Sequence, residues 1–170
     1  MVLEEHMNWF AVYTLPRAEK KAYAEIVGKG IQAYLPLQRN LKQWSDRKKW
    51  VEEPLFRSYI FVNIPQSQYF DVLNTTGIVR YITFEGKAVS IPPRQIEAVK
   101  FFLSSDDPLP ENMEHYLPGQ SVEVIKGPLK GLFGELVQLA GKQKVKVEIS
   151  AVGQSIFVTI PMSHLKIRFF

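Results

Sequence analysis

Short segments of alternating apolar and polar residues recur along the first hundred positions, and segments with helical spacing separate them. Apolar residues three or four positions apart predict a helix that has Pro16 in its first turn and ends at Gly28 and Gly30. The same spacing predicts a short helix over 67–74 and a last helix over 92–103. Together with the strands, these helices predict an α/β sandwich, in which about three helices cover a four-stranded antiparallel sheet. Runs rich in β-branched and aromatic residues place the four strands over residues 8–13, 32–37, 58–64 and 79–84.

The last fifty or so residues carry only strand patterns. Valine and isoleucine alternate there with polar residues, and glycine-containing turns separate the runs. Five short strands in such a segment are typical of a small β-barrel. The whole chain is therefore predicted to be α+β with two folded parts. The strands of the second part are predicted over residues 122–125, 134–139, 145–149, 156–160 and 165–167.

The distribution of charge divides the chain at the same place. Residues 1–105 carry a formal charge of +4, residues 106–117 carry −4, and residues 118–170 carry +4. The acidic segment contains proline and has no apolar period, which is typical of an extended linker. We predict an N-terminal domain over 8–105, a linker over 106–117 and a C-terminal domain over 118–170. Two basic domains favour polyanionic partners.

Composition argues against several classes of chemistry. The chain has no cysteine, so it can form no disulfide, thiolate metal site or thiol nucleophile. Its three histidines are far apart, and no pair of carboxylates has a spacing that supports acid–base catalysis. No apolar run approaches the ~20 residues of a membrane span, and the first residues lack the pattern of a secretion signal. We expect a soluble cytoplasmic protein that is not an enzyme, does not contact a membrane and uses no metal or cofactor.

Three segments each allow a structural and a functional interpretation. Strand 58–64 is apolar on both faces, so it is either buried on both sides or exposes an aromatic patch for a protein partner. Residues 43–50 interleave tryptophan with cations, and form either a loop with core tryptophans or a nucleic-acid contact. The first helix has a basic face, either a solvated surface or a phosphate contact. The candidate nucleic-acid-binding residues are Arg17, Lys20 and Lys21 on the helix and Trp44, Arg47, Lys48 and Lys49 in the loop.

Two parts of the sequence resemble a known family. Residues 119–134 place Val122 and Val124 before a glycine-rich turn, and this pattern resembles the KOW motif of NusG-family transcription elongation factors and of some ribosomal proteins. The turn lacks the Gly-Lys-Ser/Thr ending of a phosphate-binding loop. Upstream segments resemble the NusG N-terminal domain, and the likeness is closest to specialised antiterminators of the RfaH and UpxY types. The upstream segments are residues 9–14, 53–62, 77–84 and 91–92, and the UpxY-like ones are 34–38, 43–50 and 53–56.

The resemblance implies partners for both domains. In the family, a hydrophobic depression of the N-terminal domain binds the two clamp helices of the RNA polymerase β′ subunit. In RfaH-like relatives the first helix faces the non-template DNA strand, and the KOW (SH3-like) domain of relatives recruits ribosomal protein S10 or the termination factor Rho. Arg57 departs from the family pattern, which often has proline there, and adds a charge beside the implied depression. The implied lining residues are Tyr13, Phe56, Tyr59, Phe61, Phe84, Ile96 and Val99.

The sequence therefore predicts a NusG-family elongation factor that is specialised as an antiterminator and suppresses pausing. One alternative is a general NusG factor that aids Rho-dependent termination, and another is an RNA- or ribosome-binding KOW module. The KOW domain of RfaH-like proteins can refold as a helical hairpin. Here β-branched residues alternate with other residues over 145–149 and 156–160. This pattern predicts strands, and we therefore expect no refolding into a helical hairpin.

Overall fold

A computed structural model describes residues 5–105, 119–139 and 141–169 of the chain. Within them the fold is mixed α+β, with three α-helices and several antiparallel sheets, as predicted. The chain forms two compact units, Met1–Ile91 and Pro92–Phe170. The predicted linker at 106–117 lies outside the described residues, so the predicted domain limits stay a prediction.

The N-terminal unit is organised around strand β1 (Asn8–Thr14). One edge of β1 pairs with β5 (Tyr59–Ile64), and the other edge pairs with β6 (Ile78–Tyr81) and with the two-residue strand β9 (Ser90–Ile91). Strand β2 (Gln32–Tyr34) pairs with the outer edge of β5. The sheet therefore has five antiparallel strands, where four were predicted, because the short β9 adds one.

Two helices cover one face of this sheet. Helix α1 (Glu19–Gly28) contributes Ala22 and Ile26 to the core, and helix α2 (Tyr69–Leu73) contributes Val72. They pack on the strand residues that share this face, because every second side chain of a strand points the same way. Those strand residues are Val12 of β1 and Ile60, Val62 and Ile64 of β5.

Helix α1 begins three residues later than the position of Pro16 predicted. Arg17 has a φ of 65°, and the Ala18 amide donates to the Leu15 carbonyl at 3.1 Å. A residue in the left-handed region cannot continue a right-handed helix. Pro16 therefore belongs to a tight turn before the helix, and the prediction that it lies in the first helical turn is wrong.

Two hairpins project from the unit. Strands β3 (Leu37–Gln43) and β4 (Lys48–Pro54) form a two-stranded ribbon that includes the predicted loop at 43–50. Strands β7 (Thr83–Phe84) and β8 (Lys87–Ala88) form a much shorter hairpin. The predicted strands at 32–37 and 79–84 are consequently divided, and the first ends before Pro36, which has no amide hydrogen to donate.

The second unit contains helix α3 (Pro93–Ser104) and a five-stranded antiparallel sheet. The predicted five strands are confirmed, with shifts of up to three residues at their ends. Alternate residues Val145, Val147 and Ile149 are buried, as their spacing predicted. In the order of pairing the strands are β13 (Gln154–Val158), β12 (Lys142–Ile149), β11 (Phe133–Leu139), β10 (Ser121–Val124) and β14 (Leu165–Ile167).

Helix α3 packs within its own unit against β12 and β13. Ile96 and Val99, on its apolar side, are fully buried. Apart from α3, the described residues of this unit contain no α-helix, and one 3₁₀ turn, Met162–His164, precedes β14. The prediction of strands over residues 145–149 and 156–160 is thus confirmed for this structure.

Candidate functional site

A cleft of about 520 Å³ lies in the N-terminal unit between the start of α1 and the β3–β4 ribbon. The turn before α1 forms one wall, and the ends of the two ribbon strands form the other. The two residues that precede β5 form the floor. The cleft is lined by Pro16, Arg17, Glu19, Lys20, Lys42, Glu53, Pro54, Arg57 and Ser58.

The backbone around this cleft is held in an uncommon conformation. Arg17 and Ser58 both have a φ of 65°, in the left-handed region that side chains disfavour. The Ser58 amide donates to Glu19 Oε1 at 2.8 Å, and the Thr14 amide donates to the Ser58 carbonyl at 2.8 Å. These bonds connect β1, α1 and the segment before β5. Strained residues of this kind cluster at functional sites, so their meeting in one cleft supports a binding role.

The Glu19 carboxylate is a structural part of this wall, because only 7% of the residue is exposed. We expect Glu19→Ala to lower the free energy of unfolding by about 1–3 kcal/mol, since the buried Ser58 amide would lose its acceptor. Chemical denaturation followed by circular dichroism measures this change. Glu97→Ala is the control, because Glu97 pairs with Lys100 on an exposed helix face and its loss should cost less than about 0.5 kcal/mol. Equal stability of Glu19→Ala and the wild type would contradict this role.

The cleft carries excess positive charge. Four cations and two carboxylates line it, which leaves a formal charge of +2. Glu53 accepts hydrogen bonds from Lys42 Nζ and from Asn40 Nδ2, and these bonds, with the nearby charges of Lys42 and Arg57, hold the pKa of its carboxyl below the usual range. Lys42 is therefore neutralised locally. Among the described residues, the guanidinium groups of Arg17 and Arg57 donate no hydrogen bond, and Arg57 acts on Glu53 through its charge.

Arg57 and Lys42 line the cleft, a position that the sequence did not predict for either residue. Arg57 was expected beside the polymerase-binding depression, and it lines the basic cleft together with Arg17 and Lys20. Lys20 Nζ donates to the Glu52 carbonyl at 2.9 Å, which ties α1 to the ribbon. Lys21 is exposed on the same helix. No sequence period reveals this cleft, because its walls come from three separate segments.

The β3–β4 ribbon exposes both of its faces. Leu41 pairs with Trp50 on one face and Lys42 pairs with Lys49 on the other. Trp44 is 53% exposed and Trp50 is 58% exposed, so the interpretation that both tryptophans pack in a core is wrong. Arg47, Lys48 and Lys49 are also exposed.

The two tryptophans differ in their surroundings. The Arg39 guanidinium lies 5.5 Å from the centroid of the Trp50 ring, which is within the range of a cation–π contact. The face of the ribbon that carries Lys42 and Lys49 is called the lysine face here. Trp44 follows Lys42 by two residues and therefore lies on the same face. The Trp44 amide donates to the Arg47 carbonyl at 2.7 Å across the turn. One face of the ribbon is therefore cationic and ends in an exposed indole.

The predicted polymerase-binding residues divide into exposed and buried groups. Tyr13 and Tyr59 are half-buried neighbours whose ring centroids are 5.5 Å apart, and the register aligns them with Arg80 in one row across β5, β1 and β6. Phe84, on the short hairpin, is 72% exposed.

The buried group does not form the exposed aromatic patch that the sequence allowed. Phe61 is fully buried, because Phe56 meets its ring edge-on at 5.9 Å and Tyr34 stacks at 6.4 Å. Phe56 is itself 2% exposed, and Ile96 and Val99 are buried in the second unit. Strand 58–64 was interpreted either as buried on both faces or as exposing an aromatic patch. At Phe61 the first interpretation is correct, because the ring is buried, and within β5 only Tyr59 and Asn63 are partly exposed.

Among the described residues, no group of three or more histidine or acidic side chains is arranged to hold a metal ion. No helix in that part of the chain is both long enough and apolar enough to cross a membrane.

Comparison with known proteins decides the family. The family NusG, described as transcription termination factor nusG, matches residues 7–100, which is more than half of the chain. The chain belongs to the NusG family. It is accordingly a transcription factor of the NusG type, and the matched residues contain the basic cleft, the ribbon and the Tyr13–Tyr59–Arg80 row.

Solved structures add information on the fold. The structure "Domain interaction in Thermotoga maritima NusG" matches with a TM-score of 0.52 and 18% identity, over 94% of this chain and 96% of that one. The structure of the MjSpt4:Spt5 complex aligns over 94% of this chain and 95% of that one at 20% identity, with a TM-score of 0.32. The first likeness supports a NusG-like fold. No curated protein is similar enough in sequence to count as a match.

Proposed function

We propose that this NusG-family protein is a cytoplasmic elongation factor of the antiterminator type, which binds the β′ clamp helices of RNA polymerase and suppresses pausing and termination. The observation that carries the proposal is the aromatic surface of the N-terminal unit, which consists of the half-buried Tyr13 and Tyr59 and the exposed Phe84. Large exposed aromatic rings are enriched at protein interfaces, where a few of them contribute most of the affinity. Arg80, whose guanidinium lies 5.5 Å from the Tyr13 ring centroid, gives this surface a charged border.

The proposed action is binding without catalysis. A factor that binds the closed, elongating clamp more tightly than the open clamp shifts the polymerase towards the closed state by the difference in affinity. An aromatic surface that receives the apolar face of a helix suits this task, because helix-in-groove binding depends on burying a few anchors. The protein needs no nucleophile or acid–base pair for this action.

Helix α3 contributes to the proposed interface only after a rearrangement. Ile96 and Val99 were predicted to line the polymerase-binding depression, but their side chains are buried in the unit where α3 packs on β12 and β13. They can reach a partner only if α3 separates from those strands. Because that separation costs free energy, only a fraction of the molecules would have α3 released from β12 and β13. The apparent affinity for polymerase would be reduced in proportion to that fraction.

The UpxY-like segments support the specialised form of the proposal. Residues 43–50, together with the end of 34–38 and the start of 53–56, fall on the β3–β4 ribbon, an exposed element of the N-terminal unit. A specialised factor needs a feature that recognises its target transcription complex, and an exposed ribbon with two tryptophans and a cationic face suits nucleic acid. We propose non-template DNA as the ligand of Arg17, Lys20, Lys21 and this ribbon. The second unit, proposed as a KOW barrel, would recruit ribosomal protein S10 or Rho.

A general NusG factor that aids Rho is the second candidate, because the matched family is described as a termination factor. Transcription through a Rho-dependent terminator in the presence of this protein separates the two candidates. Increased readthrough supports the antiterminator, and earlier termination supports the Rho-assisting factor. The RNA- or ribosome-binding KOW module loses support, because the family match over residues 7–100 covers most of the N-terminal unit.

Binding to RNA polymerase tests the proposed interface. We expect Phe84→Ala to weaken binding of the full chain to core polymerase about tenfold or more, as the loss of an interface hot spot does. Surface plasmon resonance with immobilised polymerase measures this. Phe70→Ala is the matched control, since Phe70 is 66% exposed but lies on α2, outside the proposed surface. Equal losses in the two variants, or no binding by the folded wild type, would refute the clamp-helix proposal.

A further inference from the structure

We propose that a small apolar pocket in the second unit binds a monocyclic aromatic carboxylate, with the ring inside the pocket and the carboxylate at a rim formed by Lys126 and His164. The pocket has a volume of about 150 Å³ and is lined by helix α3 and by the five-stranded sheet with its turns. It shares no residue with the basic cleft or with the surface proposed to bind polymerase. Its ligand can therefore be tested without polymerase or nucleic acid.

The interior of the pocket is apolar. Val124, at the end of β10, and Leu129, in the turn that follows, are only 1% and 3% exposed. The half-buried Phe101, in the last turn of α3, faces the same space. An interior of this kind favours a hydrocarbon group, because a polar group there would lose its hydrogen bonds to water. The apolar lining residues are Phe101, Val124, Pro128, Leu129, Ile160 and Pro161.

Backbone hydrogen bonds fix the shape of the sheet side of the pocket. The Gly131 amide donates to the Val124 carbonyl at 2.7 Å, which closes the turn after β10. The Ile125 amide donates to the His164 carbonyl at 2.8 Å, which joins this turn to the 3₁₀ turn before β14. A Cβ on Gly127 would lie 3.3 Å from His164 Nδ1, so the imidazole packs directly on the turn. This side of the pocket is formed before a ligand binds, which lowers the entropic cost of binding.

The volume of the pocket limits the size of its ligand. Pockets that enclose nucleotides, cofactors or drug-sized molecules have volumes of roughly 300–1,000 Å³. An apolar cavity of about 150 Å³ holds one benzene-sized molecule. The pocket, at about 150 Å³, therefore accepts a single ring, and any further group on that ring must lie at the rim.

The rim selects the charge of that further group. Lys126 is exposed, and among the described residues its ammonium group forms no hydrogen bond or ion pair. The His164 imidazole lies at the same pocket and carries at least one N–H donor. None of the described residues that line the pocket is acidic. The rim thus favours an anion over a cation, and a carboxylate is the organic anion that adds least volume to a ring.

A bound ligand would also connect two elements of the unit. It would contact Phe101 on α3 and Leu129 in the turn of the sheet at the same time. A ligand that binds only the packed arrangement stabilises that arrangement by mass action. We therefore expect ligand binding to oppose the separation of α3 from the sheet and to slow hydrogen exchange of the α3 amides.

Titration of the full chain with benzoate, followed by nuclear magnetic resonance, tests the site. We expect saturable chemical-shift changes at the amides of residues 125–131. Benzoate should bind about fivefold more tightly than benzyl alcohol, which has the ring but no charge. Benzylamine, which has the opposite charge, should bind more weakly than either. The absence of saturable changes in this turn, or equal affinities for benzoate and benzyl alcohol, would overturn the proposal.

Three variants separate the rim from the interior. Lys126→Gln should remove the preference for benzoate and leave the affinity for benzyl alcohol unchanged. Lys130→Gln is the matched control, because Lys130 is an exposed lysine of the same turn that does not line the pocket. Phe101→Ala should weaken both ligands about tenfold, because it removes one apolar wall. A Lys126→Gln variant that binds benzoate like Lys130→Gln, or wild-type α3 amides whose exchange saturating benzoate does not slow, would refute the assignment.

Discussion

Replacing Gly119 by alanine is expected to disrupt the first strand pair of the C-terminal sheet and to lower the free energy of unfolding by about 3 kcal/mol or more. A Cβ at this position would overlap the carbonyl oxygen of Leu136 on β11. Beside it, the Leu136 amide donates to the Gln120 carbonyl at 2.9 Å, and the Gly119 amide donates to Glu135 Oε1 at 2.9 Å. The chain can accommodate a methyl group only by moving away from β11 and breaking these bonds.

Hydrogen exchange of the β10 and β11 amides, followed by nuclear magnetic resonance, localises this effect. Gly141→Ala is the control, since a Cβ there meets no atom within 4 Å and only its φ of 75° opposes the change. That conformation costs about 1–2 kcal/mol, so Gly141→Ala should be clearly milder. If both variants exchange alike in β10 and β11, the close approach of Gly119 to β11 is not what requires glycine at this position.

The C-terminal strands were predicted well because their pattern has a single physical cause. β-branched residues that alternate with polar ones must bury one face, as Val145, Val147 and Ile149 do. Gly119 shows the limit of this reasoning. The sequence marks it as part of a KOW-like pattern, but only the structure shows the carbonyl that excludes a side chain there.

Of the β3–β4 ribbon, the sequence predicts only a loop over residues 43–50, for a related reason. Both of its faces are exposed, so its sequence has no period of two that marks a buried side. The start of α1 was misplaced because proline at the first helical position is common, while a left-handed Arg17 after it has no sequence signal. Tertiary hydrogen bonds, such as that from Ser58 to Glu19, hold this turn in place.

Only part of the candidate site can be predicted from the sequence. Basic residues of the first helix and of segment 43–50 could be named separately, because charge and aromatic content are visible in the sequence. Their connection through Lys42 and Arg57 depends on the register of the ribbon and on the segment before β5. Arg57 in particular follows a buried phenylalanine, so alternation alone gives no reason to place it in a cleft with Arg17.

Phe61→Ala is expected to lower the free energy of unfolding by about 3–5 kcal/mol, which makes Phe61 a structural residue of the N-terminal unit. The strand pattern allowed an exposed Phe61 that contacts polymerase directly, but Phe56 and Tyr34 enclose its fully buried ring. Any loss of polymerase binding in this variant would therefore follow from lost packing.

Urea denaturation of Phe61→Ala, Phe61→Leu and Phe84→Ala separates packing from contact. Phe61→Leu retains most of the buried volume and should cost less than about 1.5 kcal/mol, and the exposed Phe84 should cost less than about 0.5 kcal/mol when truncated. If the proposal is right, Phe61→Leu binds polymerase like the wild type while Phe84→Ala, equally well folded, does not. The opposite result would be a Phe61→Ala variant that is as stable as the wild type but does not bind polymerase. It would show that Phe61 becomes exposed and contacts the polymerase itself. Only a ring that leaves its enclosure can contribute to binding without contributing to stability.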